Sequence, residues 1–563
     1  MCLAGHLITD TMSQDSTFDR RRFLRASGIA GVAALAGCIG DDDDEDPTDD
    51  DVDEADLGEE VPTFRYYNNP EDYDAQRHDA INFIGEQFEE VGMDIDVEVL
   101  EWSTLQDTVQ VDNDFDFATW WTFFFEELGE GLYQHFHSTG GENWFNYQND
   151  DVDEWVSAQM AEEDEDARVE QIHNVQQQVM EDVPFYPICY MTTPVLYNNT
   201  HIVPDSWDEH PRGFSSSLSQ MTLEMDEEDE LVGAWPEALD TLNPFASGGE
   251  SKHDHQFNIL FDRLYHFDED YEFVPEISLA EGGFERPDAE TIVFEGIRDH
   301  VWHDGEELTV DDVAWTMNAV AEHEPPYLHD QAEFIDNAEV IDDSTVQVNL
   351  TEPLGPAEIF IGFQIPIMPE HIWADVDDPN TEPTTEENAI GSGPTQLDYW
   401  DQGTEISLER FDDHWHPVDY SRRLWRIIPE VSTVFELLEQ GDLNYEPFGR
   451  VARETVDLLD DVDHLSGYTR LSGDFWHLSM NTETVDTTEL RRAAGTAVPN
   501  EGIVEQFLFG FAEPADNVVS PAWGVFHTDD VPEWDVGHEA ARELLSDAGY
   551  GWDDDGRLHY PAD

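Results

Sequence analysis

The hydrophobic period of the chain changes most clearly across Thr291–Met317. Thr291 to Phe294 alternates as a strand, an Arg298-bearing connection follows, and a second short strand ends in Val301-Trp302-His303. Asp304-Gly305 then supplies a turn, because glycine tolerates the positive φ such a turn needs. Thr309 stands as the N-cap of a helix whose first turn holds Asp311 and Asp312, where carboxylates suit the helix dipole. Nearer the amino terminus, Phe64-Arg65-Tyr66-Tyr67 reads as a strand. Asp79–Val91 reads as a helix with Ile81, Phe83, Ile84 and Phe88 on one side, Gly92 ends it, and Met93–Leu100 alternates as another strand. Asp114-Phe115-Asp116-Phe117 enters an aromatic run from Trp120 to Phe125, and a helix through Gln177 leads to Pro184-Phe185-Tyr186-Pro187.

Composition changes the picture in one respect. The 563 residues, enough for two or three domains, include 131 acids against 23 lysines and arginines, for a net charge of −108. Lys252 is the single lysine. Nucleic-acid binding is excluded, since phosphate contacts need Arg and Lys. High charge usually implies disorder, yet 39% apolar and 12% aromatic content can build cores. A folded protein made for molar salt, where the Debye length falls to about 3 Å, satisfies both observations, and a halophilic archaeal origin is expected. Cys2, Cys38 and Cys189 form neither a disulfide framework nor a zinc pattern.

Residues 1–40 read as an export leader. Arg20-Arg21-Arg22-Phe23-Leu24 matches a twin-arginine pattern, Ala26–Gly37 is weakly hydrophobic, and Leu35-Ala36-Gly37-Cys38 is a lipobox. Translation is expected to begin at Met12, and Cys38 is the expected lipid attachment site. Residues 41–60, almost wholly acidic, form a self-repelling tether.

Arg298, Val301, His303-Asp304-Gly305, Leu308-Thr309 and Asp312-Val313, with Trp302 where Phe is usual, resemble the signature of family 5 extracellular solute-binding proteins, the peptide- and nickel-type binding subunits of ABC importers. Further family wording surrounds it: Leu239–Pro244, Leu260–Phe267, Ala389–Pro394, Ile406–Arg410 with His414-Trp415, Phe435–Asp442, Phe475–Asn481 and Ala541–Tyr550. Phe64–Pro187 resembles a later part of the family pattern, yet here it comes first. The resemblance therefore implies an α/β, two-lobed periplasmic-binding-protein-like fold, with lobes joined by hinge strands and the chain circularly permuted. The old termini would be joined through a loop at Ser215–Glu230. Lobe II is expected in residues 61–187 and 475–563, lobe I in 231–474, with 188–230 returning to lobe I.

The same resemblance places the ligand between the lobes, beside Trp120, Trp121 and Trp476. Peptide binders of the family carry an Asp for the peptide ammonium group; here Glu126 or Glu127 would stand in for it. No HExxH, GxSxG, Walker or helix-opening GxGxxG motif occurs, so no enzyme and no cofactor are expected. His135/His137, His253/His255 and His414/His416 could each pair on one side of a strand as metal ligands, but among 22 histidines such pairs arise easily, and no metal is assigned. The expected protein is a monomeric, lipid-anchored receptor on the extracellular face of the membrane. It would deliver a small solute, a di- or oligopeptide by preference, to ABC permease and ATPase subunits. A sensory or surface binder uncoupled from transport is the alternative, and a secreted hydrolase a weaker one. Asn198 and Asn349 open glycosylation sequons.

Overall fold

Two long strands organise the computed structural model, which describes residues 57–562 except 72, 123–126, 163, 205, 209–215, 227–229, 236–237, 240, 248–258, 270, 386, 447–452 and 534. The leader, Cys38, the tether up to residue 56, Glu126 and the His253/His255 pair lie outside the described residues. Phe185–Asn198 and Leu465–Met480 run antiparallel from Leu465 opposite Asn198 to Ser479 opposite Phe185, with a break in register between Leu471 and Phe475. Both belong to one large sheet. At one end of the ribbon the sheet continues through Tyr445–Glu446, Glu230–Trp235, Arg422–Ile427, Glu405–Arg410 and Thr395–Asp401. At the other it continues through Phe117–Thr122, Phe64–Asn68 and Ile95–Val99.

Each end of the ribbon carries a body with its own core. In the end body, built from residues before 192 and after 474, Phe64, Phe88, Phe117, Leu478 and Leu545 share one fully buried cluster. Phe64–Asn68 pairs in parallel with Ile95–Val99, and the helix Ala75–Val91 crosses between them. That helix starts a turn earlier than its apolar spacing suggests, because the Asp74 side chain accepts the Arg77 backbone N–H at 3.0 Å and caps it.

The middle body, residues 195–470, adds a four-stranded antiparallel sheet in the order Ile335–Asp342, Thr345–Leu350, Thr291–Ile297 and Ala280–Asp288, covered by the helix Val310–His323. The signature stretch behaves as its spacing predicts. Gly305 turns with φ +89°, and Thr309 and Asp312 form a reciprocal capping box. Trp302 is fully buried. His303 is a strut: its Nδ1 accepts the Gly391 N–H at 3.1 Å and its Nε2 donates to the Gly393 carbonyl at 3.0 Å. Burial pushes its imidazole down to about 4.

The two ends of the folded chain meet. Leu57–Glu60 pairs antiparallel with Leu558–Pro561, and Val61 N–H donates to the Leu558 carbonyl at 2.8 Å. Leu558 N–H reaches the Gly92 carbonyl at 3.1 Å, and Trp552 Nε1 donates to the Val91 carbonyl at 2.7 Å. The last strand is thus built into the C-terminal end of the first helix.

Three expectations are corrected. The joining segment 215–230 is not all loop: Ser216 caps a helix, Ser217–Thr222, that packs into the middle-body core through Leu218 and Met221. His135 lies in the helix Leu128–Phe136, and its ring bonds the Gly131 carbonyl, so it shares no strand face with His137. His414 and His416 lie in a turn, where the His414 ring accepts the His416 N–H. Among the described residues no helix is long and apolar enough to cross a membrane.

Gly92 sits at φ +99°, and a Cβ there would lie 2.5 Å from Trp552 Nε1. Gly92→Val should therefore lower unfolding stability by roughly 2 kcal/mol or more, read from denaturant unfolding at constant molar salt.

Candidate functional site between the two bodies

The bodies touch along a seam that the Tyr271 side chain crosses. Phe267 and Phe273 bridge at the base of a short loop whose tip, Tyr271, leaves the middle body. Tyr271 has φ +61°, unusual for a residue with a Cβ, and is held by its N–H donating to the Asp268 carbonyl at 3.1 Å. Its ring stacks on Phe267 of its own body at 5.2 Å and on Trp523 of the end body at 5.8 Å, with Phe526 edge-on at 6.4 Å. It packs against the cores of both bodies.

Charge is buried beside it. Glu127 caps the helix Leu128–Phe136 by accepting the Glu130 N–H, and its other carboxylate oxygen pairs with Arg168 Nη2. Arg168 lies over the Phe526 ring at 5.2 Å. From the middle body comes Glu358, whose carboxyl burial pushes above the ordinary range despite the nearby Arg168 and Arg286. Burial likewise drives the Tyr271 hydroxyl well up. Gly355 N–H donates to the Met160 carbonyl across the seam at 2.7 Å, and Arg470 reaches Glu269 at 3.6 Å. Among the described residues, the Tyr271 hydroxyl and the Trp523 indole N–H are buried without hydrogen-bond partners. An orphaned buried donor costs about 1–3 kcal/mol, so each of these two groups gains from any polar partner that reaches it. An open groove of about 720 Å³ on the middle body, lined by Asp208, Glu224, Arg410 and Asp419 among others, contains none of these groups.

The residues expected from sequence are divided by the fold. Trp120 is buried inside the end body, stacked on Trp102 at 5.2 Å, with the Arg77 guanidinium 5.8 Å from its ring. Trp121 points to the other face of the same strand and is 37% exposed. Trp476 pairs with it across the ladder but is buried in the core, its indole N–H without a hydrogen-bond partner among the described residues. Glu127 is at the seam, already committed to Arg168. Sequence reasoning missed Tyr271, Trp523, Phe526, Arg168 and Glu358. They are scattered over more than 350 positions, and no local period joins them.

These groups are a cation, carboxyls and aromatic faces, and none is a serine or cysteine joined to a base. They suit capture of a solute. The family model described as "Bacterial extracellular solute-binding proteins, family 5 Middle" matches residues 274–562, just over half of the chain. The chain belongs to solute-binding protein family 5. Within the family it is similar to the oligopeptide-binding protein AppA of Bacillus subtilis, at 28% identity over 44% of this chain and 47% of that one. It is also similar to the dipeptide-binding protein of Escherichia coli, at 26% identity over 52% and 58% respectively. The chain therefore spans about half the length of the curated relatives it matches. A solved structure of B. subtilis AppA with a nonapeptide aligns with a TM-score of 0.43 at 23% identity, over 60% of this chain and 68% of that one.

In this family 5 chain the Glu127–Arg168 pair is buried at the seam, so removing one partner strands the other. Arg168→Met should cost roughly 3 kcal/mol, and the double variant Glu127→Gln/Arg168→Met should recover part of that loss. Denaturant unfolding of the four proteins in one double-mutant cycle measures both.

Proposed function

We propose that the protein is the solute receptor of an ABC importer, closing two lobes on a small solute for which a di- or oligopeptide is the favoured chemistry. Lobe I, 231–474 with the returning segment 188–230, corresponds to the middle body, save that Ile188–Met191 pack into the end body, and lobe II, 61–187 with 475–563, corresponds to the end body. The observation that carries the reading is the seam of a family 5 chain, where Tyr271 of one lobe stacks on Trp523 of the other beside buried charges. Closure about the ribbon excludes water there and strengthens every polar contact to the guest. Trp121, Trp476 and Glu127 remain proposed contacts, with Glu126 and Trp120 beside them in the chain. The names of the relatives, which are binding proteins for oligopeptides and dipeptides, support the solute class. The twin-arginine leader and lipobox at Cys38 support export and anchoring to the extracellular face in a halophilic archaeon, where the receptor would meet permease and ATPase subunits as a monomer.

The same reading includes circular permutation. Its support is the pairing of Leu57–Glu60 with Leu558–Pro561, together with family wording that runs from the chain's last segment into its first. Joining residue 563 to 61 and opening the chain between 215 and 230 should give a protein that folds with a similar melting temperature. A chain that aggregates or melts far lower argues against the permutation.

A thermal-shift screen of residues 57–563 in molar KCl tests the solute. Di- and oligopeptides, sugars, and nickel with and without chelators form the panel. A ligand at a hundred times its dissociation constant adds about 2.7 kcal/mol of stability, and Tyr271→Ala should remove that shift. A panel that leaves the folded protein unshifted counts against peptide capture.

A further inference from the structure

His414 has neighbours that its sequence spacing does not reveal. Its side chain is buried with that of Asp262, and its Nε2 lies 3.1 Å from Asp262 Oδ1. Because the His416 backbone N–H donates to His414 Nδ1 at 3.0 Å, the ring proton sits on Nε2 and points at the carboxylate. His300 stands edge-on to His414, with ring centres 5.1 Å apart. Its Nε2 is 3.0 Å from the Ser392 carbonyl oxygen and must be the donor there, since a carbonyl cannot donate. Nδ1 of His300 is left as a lone pair. Asp262, His300 and His414 each offer one ligand atom, and the three atoms lie within 4.8 Å of one another. Ser392 lies close, its hydroxyl accepting the Asp262 N–H, yet Asp262 Oδ2 is buried and without a hydrogen-bond partner among the described residues.

We propose that Asp262, His300 and His414 bind one divalent transition-metal cation of the zinc type, at a site in the middle body separate from the seam. Two imidazoles and one carboxylate suit tetrahedral Zn2+ with a fourth position open, whereas Mg2+ and Ca2+ select sites built of oxygen alone. Metal–ligand bonds of about 2.0–2.2 Å require the three groups to draw inward by about an ångström. The Ser392 carbonyl accepts from His300 Nε2 and so holds the ring with Nδ1 free to meet a cation. A cation at His414 Nε2 takes the place of the proton there; the ring then carries its proton on Nδ1 and gives up the bond from His416. His300 is the least enclosed of the three, against the half-buried Trp415 at 4.8 Å and near the exposed Asp413. The three ligands come from separate parts of the chain, a segment after Ile259, the short strand His300–Val301 and the turn at 412–416, and a bound ion would tie them together.

The test uses the described chain in molar KCl, stripped with chelator and held in excess Mg2+ to occupy surface carboxylates. Titration with Zn2+ should show one saturable equivalent, confirmed by metal analysis after gel filtration. His300→Ala and Asp262→Asn should each weaken it by at least about tenfold, while His137→Ala leaves it unchanged. Co2+ should give the intense visible bands of a tetrahedral site, which carboxylates on the surface do not produce. If Asp262→Asn fails to fold, the rim variant His300→Ala carries the test. Absence of a stoichiometric equivalent in the wild type, or an unchanged affinity in folded His300→Ala, overturns the proposal and leaves a hydrogen-bonded His–Asp pair.

Discussion

Two strands have to serve both bodies at once. Phe185–Asn198 and Leu465–Met480 are each long enough to cross from one core to the other, and their ladder is the shared backbone of the large sheet. Phe185 and Leu478 lie in end-body cores, while Val195, Tyr197 and Tyr468 belong to the middle body. The register breaks between Leu471 and Phe475, close to where the ribbon passes between the bodies. A break in the ladder bends and twists a strand, so the joint is placed where bending costs the fewest ladder bonds. Trp523 reaches this point: a Cβ on Gly473 would lie 2.6 Å from its indole nitrogen. Glycine there lets the seam's aromatic wall approach the ribbon itself.

The charge of the protein acts on two scales. Over the whole sequence the net charge is −108, and among the described residues few carboxylates are buried. At the seam the few buried charges are placed individually. Glu127 has Arg168, Arg286 is spent on the carbonyls of Thr291, Ala289 and Gly355, and Glu358 is held toward its neutral form by burial. With only 23 lysines and arginines in the sequence, Arg168 and Arg286 are each committed to named local partners. Arg298, the first residue of the signature, bonds the Ser278 and Pro275 carbonyls and so fastens the loop that precedes the four-stranded sheet.

Local chemistry made much of the fold legible. The Asp304-Gly305 turn, the Thr309 cap, the end of the first helix at Gly92 and the strands at Phe64 and Thr291 all depend on neighbours within a few residues. Boundaries slipped where the decisive group lay just outside the apolar pattern, as with Asp74, five residues before Asp79. Of the site, Glu127 was readable as a candidate, but its partner Arg168 lies forty-one positions on and is brought back by two successive helix packings, Leu128–Phe136 on Asp150–Met160 and Asp150–Met160 on Glu165–Asp182. Trp120 and Trp121 are adjacent in sequence, yet strand alternation sends one into the core and leaves the other partly in solvent.

From the residues alone came the family, through a run of motif wording centred on His303-Asp304-Gly305, and the expectation that those motifs run in a permuted order. Both are properties of a string and need no coordinates. Tertiary structure decided what the string cannot hold: that Tyr271 spans two cores, that Trp523 and Phe526 receive it, and that His414 faces Asp262 and His300 instead of His416. Those contacts join residues more than a hundred positions apart, and no spacing rule reaches that far. The seam contacts exist because the ribbon brings two separately packed bodies face to face.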